Sequence, residues 1–314
     1  MEPGEGKLDR ARGCLVGQVA GDSLGGLVEF GTPADVAARY PGGVRELQDG
    51  GHWGTLAGQP TDDSEMALAL ARTLVGGREY DPGAARAAYV AWLDSGPFDY
   101  GITVRAGLRG APDAASQANG ALMRVSPLGV FGAGRDDATV AGWAEADAAI
   151  THPHRVCRQA NALFALAVAH AVEEGPAPAE LYGRVRRWSA EMAVDPALRR
   201  AVDAAASEPP ADFTTLMGWV LIAFQNALYQ LVNAASLEEA LVDTVGRGGD
   251  TDTNAAIAGA LLGAVHGLGA VPRRWTDAVL ACRPEAGRPG VRRPRPREYW
   301  PVDVLELAEA LLAR

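Results

Sequence analysis

The sequence contains few cysteines and few aromatic residues. Its three cysteines, Cys14, Cys157 and Cys282, are far apart and lack the spacing of a metal-binding motif. Scattered cysteines in odd number are atypical of a disulfide framework, so we expect small buried side chains in a cytoplasmic protein. Aromatic residues make up 6% of the chain, although hydrophobic residues make up 48%. Alanine, leucine and glycine must therefore fill most of the core, which suits closely packed helices.

Basic residues and long apolar runs are also scarce. The formal net charge is −10 at pH 7, which argues against a nucleic-acid partner because phosphate binding requires a basic surface. The N-terminal segment MEPGEGKLDRARG lacks the apolar centre of a signal peptide. The longest apolar stretches, such as LMGWVLIAF, are shorter than the roughly 20 residues that span a bilayer. We therefore expect no membrane partner. Nothing in the sequence indicates an oligomer, and a monomer is expected.

Strand-like alternation is hard to find, whereas apolar residues recur at three- and four-residue spacing almost throughout the chain. That period is typical of amphipathic helices, so the predicted fold is all-α. No clear boundary divides the chain, and we predict one domain over residues 1–314. The predicted helices cover residues 8–27, 63–75, 82–94, 120–130, 136–149, 155–173, 178–193, 214–232, 236–246, 253–267, 272–282 and 302–313.

Two predicted helices carry a glycine at every fourth residue. The rows are Gly13, Gly17, Gly21 and Gly25 in the first helix, and Gly259, Gly263 and Gly267 in the second. Residues four apart lie on one helix face, so each row forms a smooth groove against which another backbone can pack. Because each glycine inside a helix costs about 0.5–1 kcal/mol relative to alanine, close approach must be important here. We expect both helices to lie at the centre of the protein.

Two clusters of threonine and aspartate precede apolar helical runs, at residues 61–63 and 250–253. Such residues are common helix N-caps, and Asp62 with Glu65 fits a capping box. A cap needs only one oxygen, however, and adjacent carboxylates exceed the charge of about half an electron at a helix N-terminus. Capping is the simpler explanation for either cluster alone. The pair favours a two-metal site, and the absence of Cys and His favours Mg²⁺ or Mn²⁺ over zinc.

Two further segments have irregular composition. Residues 31–60 are rich in glycine and lead into the first acidic cluster, so we predict that this long loop forms part of the rim of a site. Residues 283–301 contain six arginines and five prolines. We predict an extended, solvated surface segment there.

Five stretches together resemble the ADP-ribosylglycohydrolase family. They are GCLVGQVAGDSLGGLVEF, TDDSEMALALARTL, NGALMRVSPLGVF, the pair Thr151-His152, and GRGGDTDTNAAIAGALLGA, and they span most of the chain. The resemblance implies a compact, orthogonal helical bundle with two Mg²⁺ or Mn²⁺ ions in a central cleft. The implied metal ligands are Thr61, Asp62, Asp63, Asp250, Asp252 and Thr253. Asp252 is the best candidate for a carboxylate shared between the ions.

The resemblance also implies which residues face the substrate. Glu29 is the first candidate for the catalytic acid or base, and Asp63 is the second. The NGALMR stretch is expected to receive the diphosphate of ADP-ribose, and hydroxyl, amide and backbone N–H groups at a helix N-terminus are suited to an anion. An ordinary Asn119 cap is the alternative for this stretch. The residues expected to bind the ligand are Ser116, Asn119, Gly120, His152, Gly248 and Gly249.

Two departures from the family pattern affect the expected cleft rim. The insertion GGHWGTLAGQP before the first acidic cluster is longer than in many relatives, and Ser116 stands where some relatives carry other residues. The implied activity is metal-dependent hydrolysis that releases ADP-ribose from a modified protein or small acceptor. ADP-ribosyl-arginine is the first expectation and ADP-ribosyl-serine the second. Two alternatives are a non-catalytic relative that binds ADP-ribose and an all-α metal-dependent nucleotide pyrophosphohydrolase.

Overall fold

The computed structural model describes residues 3–313, with side chains from Glu5 onward, so residues 1, 2 and 314 of the predicted domain lie outside it. The described chain forms 15 α-helices and contains no sheet, which confirms the all-α prediction. The helices are α1 (Pro3–Gly25), α2 (Pro33–Arg39), α3 (Asp62–Leu74), α4 (Pro82–Asp94), α5 (Ile102–Leu108), α6 (Ser126–Gly132), α7 (Asp137–Ala149), α8 (Arg155–Glu174), α9 (Pro178–Glu191), α10 (Pro196–Ala204), α11 (Val220–Asn233), α12 (Leu237–Gly246), α13 (Thr251–His266), α14 (Arg273–Ala281) and α15 (Val304–Leu312).

Three short helices, α2, α5 and α10, were not predicted, because seven to nine residues leave little room for a helical period. The predicted helix 120–130 is in fact a short 3-10 helix followed by α6, which begins at Ser126 with a proline in its first turn. The predicted helix 214–232 begins only at Val220. The preceding residues form a loop in which Trp219 pairs with Ala118 through an isolated β-bridge.

The two glycine rows pack directly against each other. A Cβ atom at Gly13 or Gly17 would collide with the carbonyl oxygen of Gly263 or Gly259, respectively. Residues later in α1 contact residues earlier in α13, so the two helices are antiparallel. Side chains are excluded from this crossing, so the two backbones lie in contact at the centre of the protein.

This crossing determines which residues meet at its far end. The last glycine of the first row, Gly25, lies against the backbone of Thr251, whose hydroxyl donates to the Gly25 carbonyl at 2.7 Å. The C-terminal end of α1 therefore adjoins the N-terminal end of α13. Asp22 and Glu29 are thereby brought beside the second acidic cluster, although more than 200 residues separate them in sequence.

The surrounding core is built mainly from alanine, leucine and valine, as the composition predicts. Helix α8 contributes Leu163, Phe164 and Val168, and α11 contributes Phe224 and other apolar side chains. All three cysteines are buried and free. Within residues 3–313, no helix is both long and apolar enough to cross a membrane.

The arginine-rich segment is less solvated than predicted. Residues 283–301 form turns, bends and short 3-10 helices and are mostly exposed, but Arg295 is buried and binds both carboxylate oxygens of Glu65 at 2.8 Å. The indole N–H of Trp92 donates to the same carboxylate at 2.8 Å. The predicted capping box between Asp62 and Glu65 is therefore wrong, because a buried ion pair with a distant segment occupies the glutamate.

Candidate active site

A cavity of about 420 Å³ opens between the two acidic clusters. Asp62 lies in its wall on one side, and Asp250, Asp252 and Thr253 lie in its wall on the other. A neighbouring cavity of about 460 Å³ between α10 and α11 is mainly apolar, and Asp212 is its one acidic lining residue. The concentration of carboxylates, rather than cavity size, therefore marks the candidate site.

The buried carboxylates form two groups that share one member. Oxygens of Asp22, Asp63 and Asp252 all lie within 4.8 Å of one another, and so do oxygens of Glu29, Asp250 and Asp252. Each group has the donor type and proximity that could hold a metal ion. Asp252 belongs to both groups, which is the arrangement expected of a shared carboxylate.

Asp22 was missing from the predicted site, and it explains how the first cluster is held. The backbone N–H and the hydroxyl of Thr61 both contact Asp22 Oδ1, at 3.0 and 2.9 Å, and the backbone N–H of Ser64 donates to Oδ2 at 3.0 Å. Thr61 itself makes no side-chain cap bond to α3. Asp22 of α1 therefore binds the N-terminus of α3, and the carboxylates of the first cluster are not needed for that purpose.

The second cluster likewise does not act as a helix cap. Asp250 precedes α13 without a side-chain cap bond, and its Oδ2 instead accepts the side-chain amide of Asn119 at 2.7 Å. In the first cluster, Asp63 Oδ1 is buried and has no hydrogen-bond partner within the part of the chain that the structure describes. Buried carboxylate oxygens are normally satisfied, so this unpaired oxygen favours a cation ligand. The residues present thus fit hard divalent cations.

The pKa values of the buried carboxylates also favour bound cations. Burial raises the pKa values of Asp63 and Asp252 well above the usual value for aspartate, and neighbouring carboxylates raise them further. Burial also raises the pKa of Glu29 to about 8, with further contributions from Asp99 and Asp250. So much buried negative charge is costly without compensation. A bound cation would offset it.

Asp62 is placed differently from the other predicted ligands. Its carboxylate lines the cavity but belongs to neither group of three. Burial raises the pKa of Asp62 well above the usual value, and the largest contribution from a neighbouring charge comes from Asp99, which lies between α4 and α5 and also lines the cavity. Burial raises the pKa of Asp99 to about 6. Asp99 was not predicted from the sequence, because no motif or helical period surrounds it.

Glu29 lies in the cavity wall and is held by the long glycine-rich loop. The indole N–H of Trp53 donates to Glu29 Oε2 at 2.6 Å, which supports the prediction that this loop contributes to the site. The next residue, Phe30, has a φ of 64°, an unfavourable value for a bulky side chain. Its backbone N–H donates to the carbonyl of Gly249 at 2.8 Å, which keeps this turn beside the second cluster.

The residues expected to bind ADP-ribose divide into two sets. Asn119, Gly120 and His152 line the cavity, together with Met217 and Gly218 from the loop before α11. The Asn119 amide donates to Asp250, and the following 3-10 helix has no side-chain cap bond, so Asn119 does not serve as the alternative helix cap. The predicted site residues outside the cavity lining are Ser116, Gly248, Gly249, Thr61 and Asp63.

Those outlying residues have structural contacts of their own. The Ser116 hydroxyl is 2.9 Å from that of Thr103, which does line the cavity. Gly248 and Gly249 have φ values of 70° and 77°, and a side chain at Gly249 would collide with the carbonyl of Phe213. These glycines allow the chain to turn tightly into α13. Asp63 is buried beside Asp252, which lines the cavity.

The chain is similar to known proteins over nearly its whole length. A sequence model of the ADP-ribosylglycohydrolase family matches residues 3–312. The ADP-ribosyl-[dinitrogen reductase] glycohydrolase of Rhodospirillum rubrum is 32% identical, with 86% of this chain and 90% of that protein aligned. The ADP-ribosylarginine hydrolase Tri1 of Pseudomonas putida (strain GB-1) is 28% identical over 88% of this chain and 75% of that protein.

A solved structure gives the same result for the fold. An ADP-ribosylglycohydrolase-related protein complex contains a chain that is 28% identical and aligns with a TM-score of 0.77, covering 98% of both chains. The family match, the sequence identity and the fold agree with one another. The chain belongs to the ADP-ribosylglycohydrolase family, and the prediction of an ADP-ribosylglycohydrolase enzyme is confirmed.

Proposed function

We propose that this enzyme uses two divalent cations, Mg²⁺ or Mn²⁺, to hydrolyse the bond between ADP-ribose and an arginine side chain. The observation that carries the proposal is the pair of buried carboxylate groups that share Asp252 beside the cavity. Family membership supplies the general reaction, the release of ADP-ribose from an acceptor. The donor set supports the metal dependence, because all the contributing atoms are oxygens.

The proposed ligand set modifies the predicted one. Asp63 and Thr61 on one side and Asp250 and Thr253 on the other would hold the cations with Asp252. Asp22 joins the first group, although both of its oxygens also bind the start of α3. Bound divalent cations would supply Lewis-acid chemistry, by lowering the pKa of water and by fixing the vicinal hydroxyls of ribose.

Two side chains are positioned to handle protons during the reaction. Cleavage at the anomeric carbon passes through an oxocarbenium-like state, so the leaving group needs a proton and water needs a base. Glu29 and Asp99 both line the cavity and have raised pKa values. Asp99 belongs to neither carboxylate group and is therefore free for this role. We propose these two as the acid and base candidates in place of Asp63, which does not line the cavity.

The charge of the cleft supports arginine over serine as the acceptor. A guanidinium group is a cation that pairs well with carboxylates and with aromatic faces. Asp62 and Asp99 stand in the cavity wall, and the partly exposed rings of Phe30 and Tyr100 flank them. A serine linkage offers no positive charge to such a surface. One relative with 28% identity is an ADP-ribosylarginine hydrolase, which agrees with this preference.

The test compares two peptides, one with ADP-ribosyl-arginine and one with ADP-ribosyl-serine, in the presence of Mg²⁺, Mn²⁺ or EDTA. We expect cation-dependent release of ADP-ribose from the arginine peptide and little release from the serine peptide. The variant Asp252→Asn should be inactive. Asp277→Asn, an exposed aspartate on α14, is the matched control and should retain activity. Full activity in EDTA would refute the metal role, and preference for the serine peptide would refute the proposed acceptor.

A further inference from the structure

A buried polar network leads from the core to the wall of the cavity. At its centre, the guanidinium of Arg124 is fully buried and lies over the ring of Tyr89, 4.4 Å from its centroid. Its Nε donates to Asp147 Oδ2 at 3.1 Å, and its Nη2 donates to the backbone carbonyl of Asp147 at 3.0 Å. The hydroxyls of Tyr80 and Tyr89 donate to Asp147 Oδ1 at 3.0 and 2.8 Å. These bonds fix the orientation of the guanidinium.

The remaining donors of Arg124 point toward the cavity. Its Nη1 donates to the hydroxyl oxygen of Thr151 at 2.9 Å and to the Gly120 carbonyl at 3.2 Å. Arginine can only donate, so the Thr151 oxygen must accept this bond. The single hydroxyl hydrogen of Thr151 is then directed elsewhere. Among the residues that the structure describes, the other partner of this hydroxyl is His152 Nδ1, at 2.7 Å, and donation to Nδ1 is the arrangement that leaves no buried hydroxyl hydrogen unpaired.

The direction of these bonds determines the protonation of the imidazole. Because Thr151 donates to Nδ1, that nitrogen must be an acceptor without a hydrogen, and the hydrogen of a neutral ring resides on Nε2. His152 is fully buried within the cavity wall, and its Nε2 has no hydrogen-bond partner among the described residues. Burial, together with the charge of Arg124, lowers the pKa of His152 to about 3, so the ring stays neutral near pH 7.

We infer that Arg124 and Thr151 are positioning residues that hold His152 as the Nε2–H tautomer, so that the cavity presents a fixed hydrogen-bond donor to an oxygen of the ADP-ribosyl group. The identity of the ligand rests on the proposed function, whereas the tautomer does not. A buried donor without a partner is costly, and a ligand oxygen would satisfy it. The absence of a side chain at Gly120 also matters for the imidazole, because a Cβ there would lie 2.7 Å from Val104 Cγ2 and 3.2 Å from His152 Cε1 and would crowd the ring.

The first measurement is ¹⁵N NMR of the imidazole nitrogens in the full-length protein without ligand. His152→Gln identifies the signals of His152 by their disappearance. We expect a protonated Nε2 and an unprotonated Nδ1 from about pH 6 to about pH 8, around the usual pKa of histidine. A hydrogen on Nδ1 in the wild-type protein would overturn the inference, and this result requires no variant of Thr151.

The second measurement separates the hydroxyl of Thr151 from its bulk. Thr151→Val keeps the shape and removes the hydroxyl, whereas Thr151→Ser keeps the hydroxyl. We expect the valine variant to populate both tautomers and to bind ADP-ribose between about two- and tenfold more weakly by calorimetry, the range for one hydrogen bond. The serine variant should resemble the wild type.

The outcomes also distinguish this inference from the proposed function. If the valine variant has the wild-type tautomer and affinity, or if the serine variant is equally impaired, Arg124 and Thr151 do not position His152. If the tautomer and its dependence on Thr151 are as expected, but no ADP-ribosylated peptide is hydrolysed, the positioning of His152 stands and the proposed reaction is refuted. Neither measurement depends on turnover.

Discussion

Replacing Asp252 with asparagine should stabilise the metal-free protein and abolish its stabilisation by divalent cations. Asp252 contributes to both carboxylate groups, whose oxygens lie within 4.8 Å of one another. Two unit charges at that separation repel by about 3.5 kcal/mol at an effective dielectric constant of about 20. Raised pKa values of Asp252 and Asp63 allow partial protonation, which relieves some repulsion. We therefore expect a gain of about 1–3 kcal/mol in unfolding free energy without metal.

Asparagine preserves the other contacts at this position, so charge is the main property that changes. The backbone N–H of Thr253 donates to Asp252 Oδ1 at 2.9 Å, and an asparagine oxygen can accept the same bond. The asparagine amide can also donate to the carboxylates of Glu29 or Asp250. An aspartate with only a structural role would therefore give a neutral or destabilising result.

Urea unfolding of the wild type, Asp252→Asn and the surface control Asp277→Asn, in EDTA and in saturating Mg²⁺ or Mn²⁺, measures both effects. A cation at 100 times its dissociation constant stabilises the folded protein by about 2.7 kcal/mol per site, so two sites together contribute about 5 kcal/mol. The wild type and the control should gain about this much, and Asp252→Asn should gain little. The reasoning fails if Asp252→Asn is less stable than the wild type in EDTA, or if cations leave the wild-type unfolding curve unchanged.

Three further predictions concern the helix crossing, the buried histidine and the loop. Gly17→Ala should lower the unfolding free energy in urea by about 3 kcal/mol or more, because its Cβ would meet the backbone of α13. Gly142→Ala, which has open space around the Cβ, should raise the unfolding free energy by up to about 1 kcal/mol. Equal effects of the two variants would contradict the close helix crossing. Below pH 6.5 the histidine of the unfolded chain binds a proton that buried His152 does not bind. As the pH falls, the unfolding free energy of the wild type should therefore decrease by about 1.4 kcal/mol per pH unit relative to that of His152→Gln. Parallel pH profiles of the two unfolding free energies would contradict this. Trp53→Phe removes the hydrogen bond to Glu29 and should lower kcat about tenfold, whereas the affinity for ADP-ribose measured by calorimetry should be preserved. An unchanged kcat would show that Trp53 does not position Glu29.

Regular features of the sequence predicted the centre of the protein well. The four-residue glycine spacing correctly placed α1 and α13 at the centre of the protein, because glycine in a helix interior allows close backbone approach, but only the structure shows that the two rows pack against each other. The two acidic clusters were expected to meet, and Asp62 and Asp252 do line one cavity. These features depend on the spacing and type of nearby residues, and both can be read from the sequence.

Residues whose importance depends on tertiary contacts were missed or misread. Asp22 looks like one polar residue in an apolar helix, and its purpose emerges only when Thr61 and Ser64 are seen to donate to it. Asp99 stands in a loop with no pattern to distinguish it. Glu65 was assigned to a local capping box, but Arg295, 230 residues later, forms the ion pair. Patterns among neighbouring residues do not reveal contacts with residues that are far away in the sequence.

The helix crossing and the candidate site are therefore parts of one structure. The glycine rows set the distance between α1 and α13, and Asp22, next to Gly21, transmits that position to α3 by binding its N-terminus. The first acidic cluster begins α3, so its distance from the second cluster follows from backbone contact between the two central helices. Backbone contact varies less than contact through flexible side chains. A rigid crossing is thus a physical means of holding two groups of like charge close enough to share a cation.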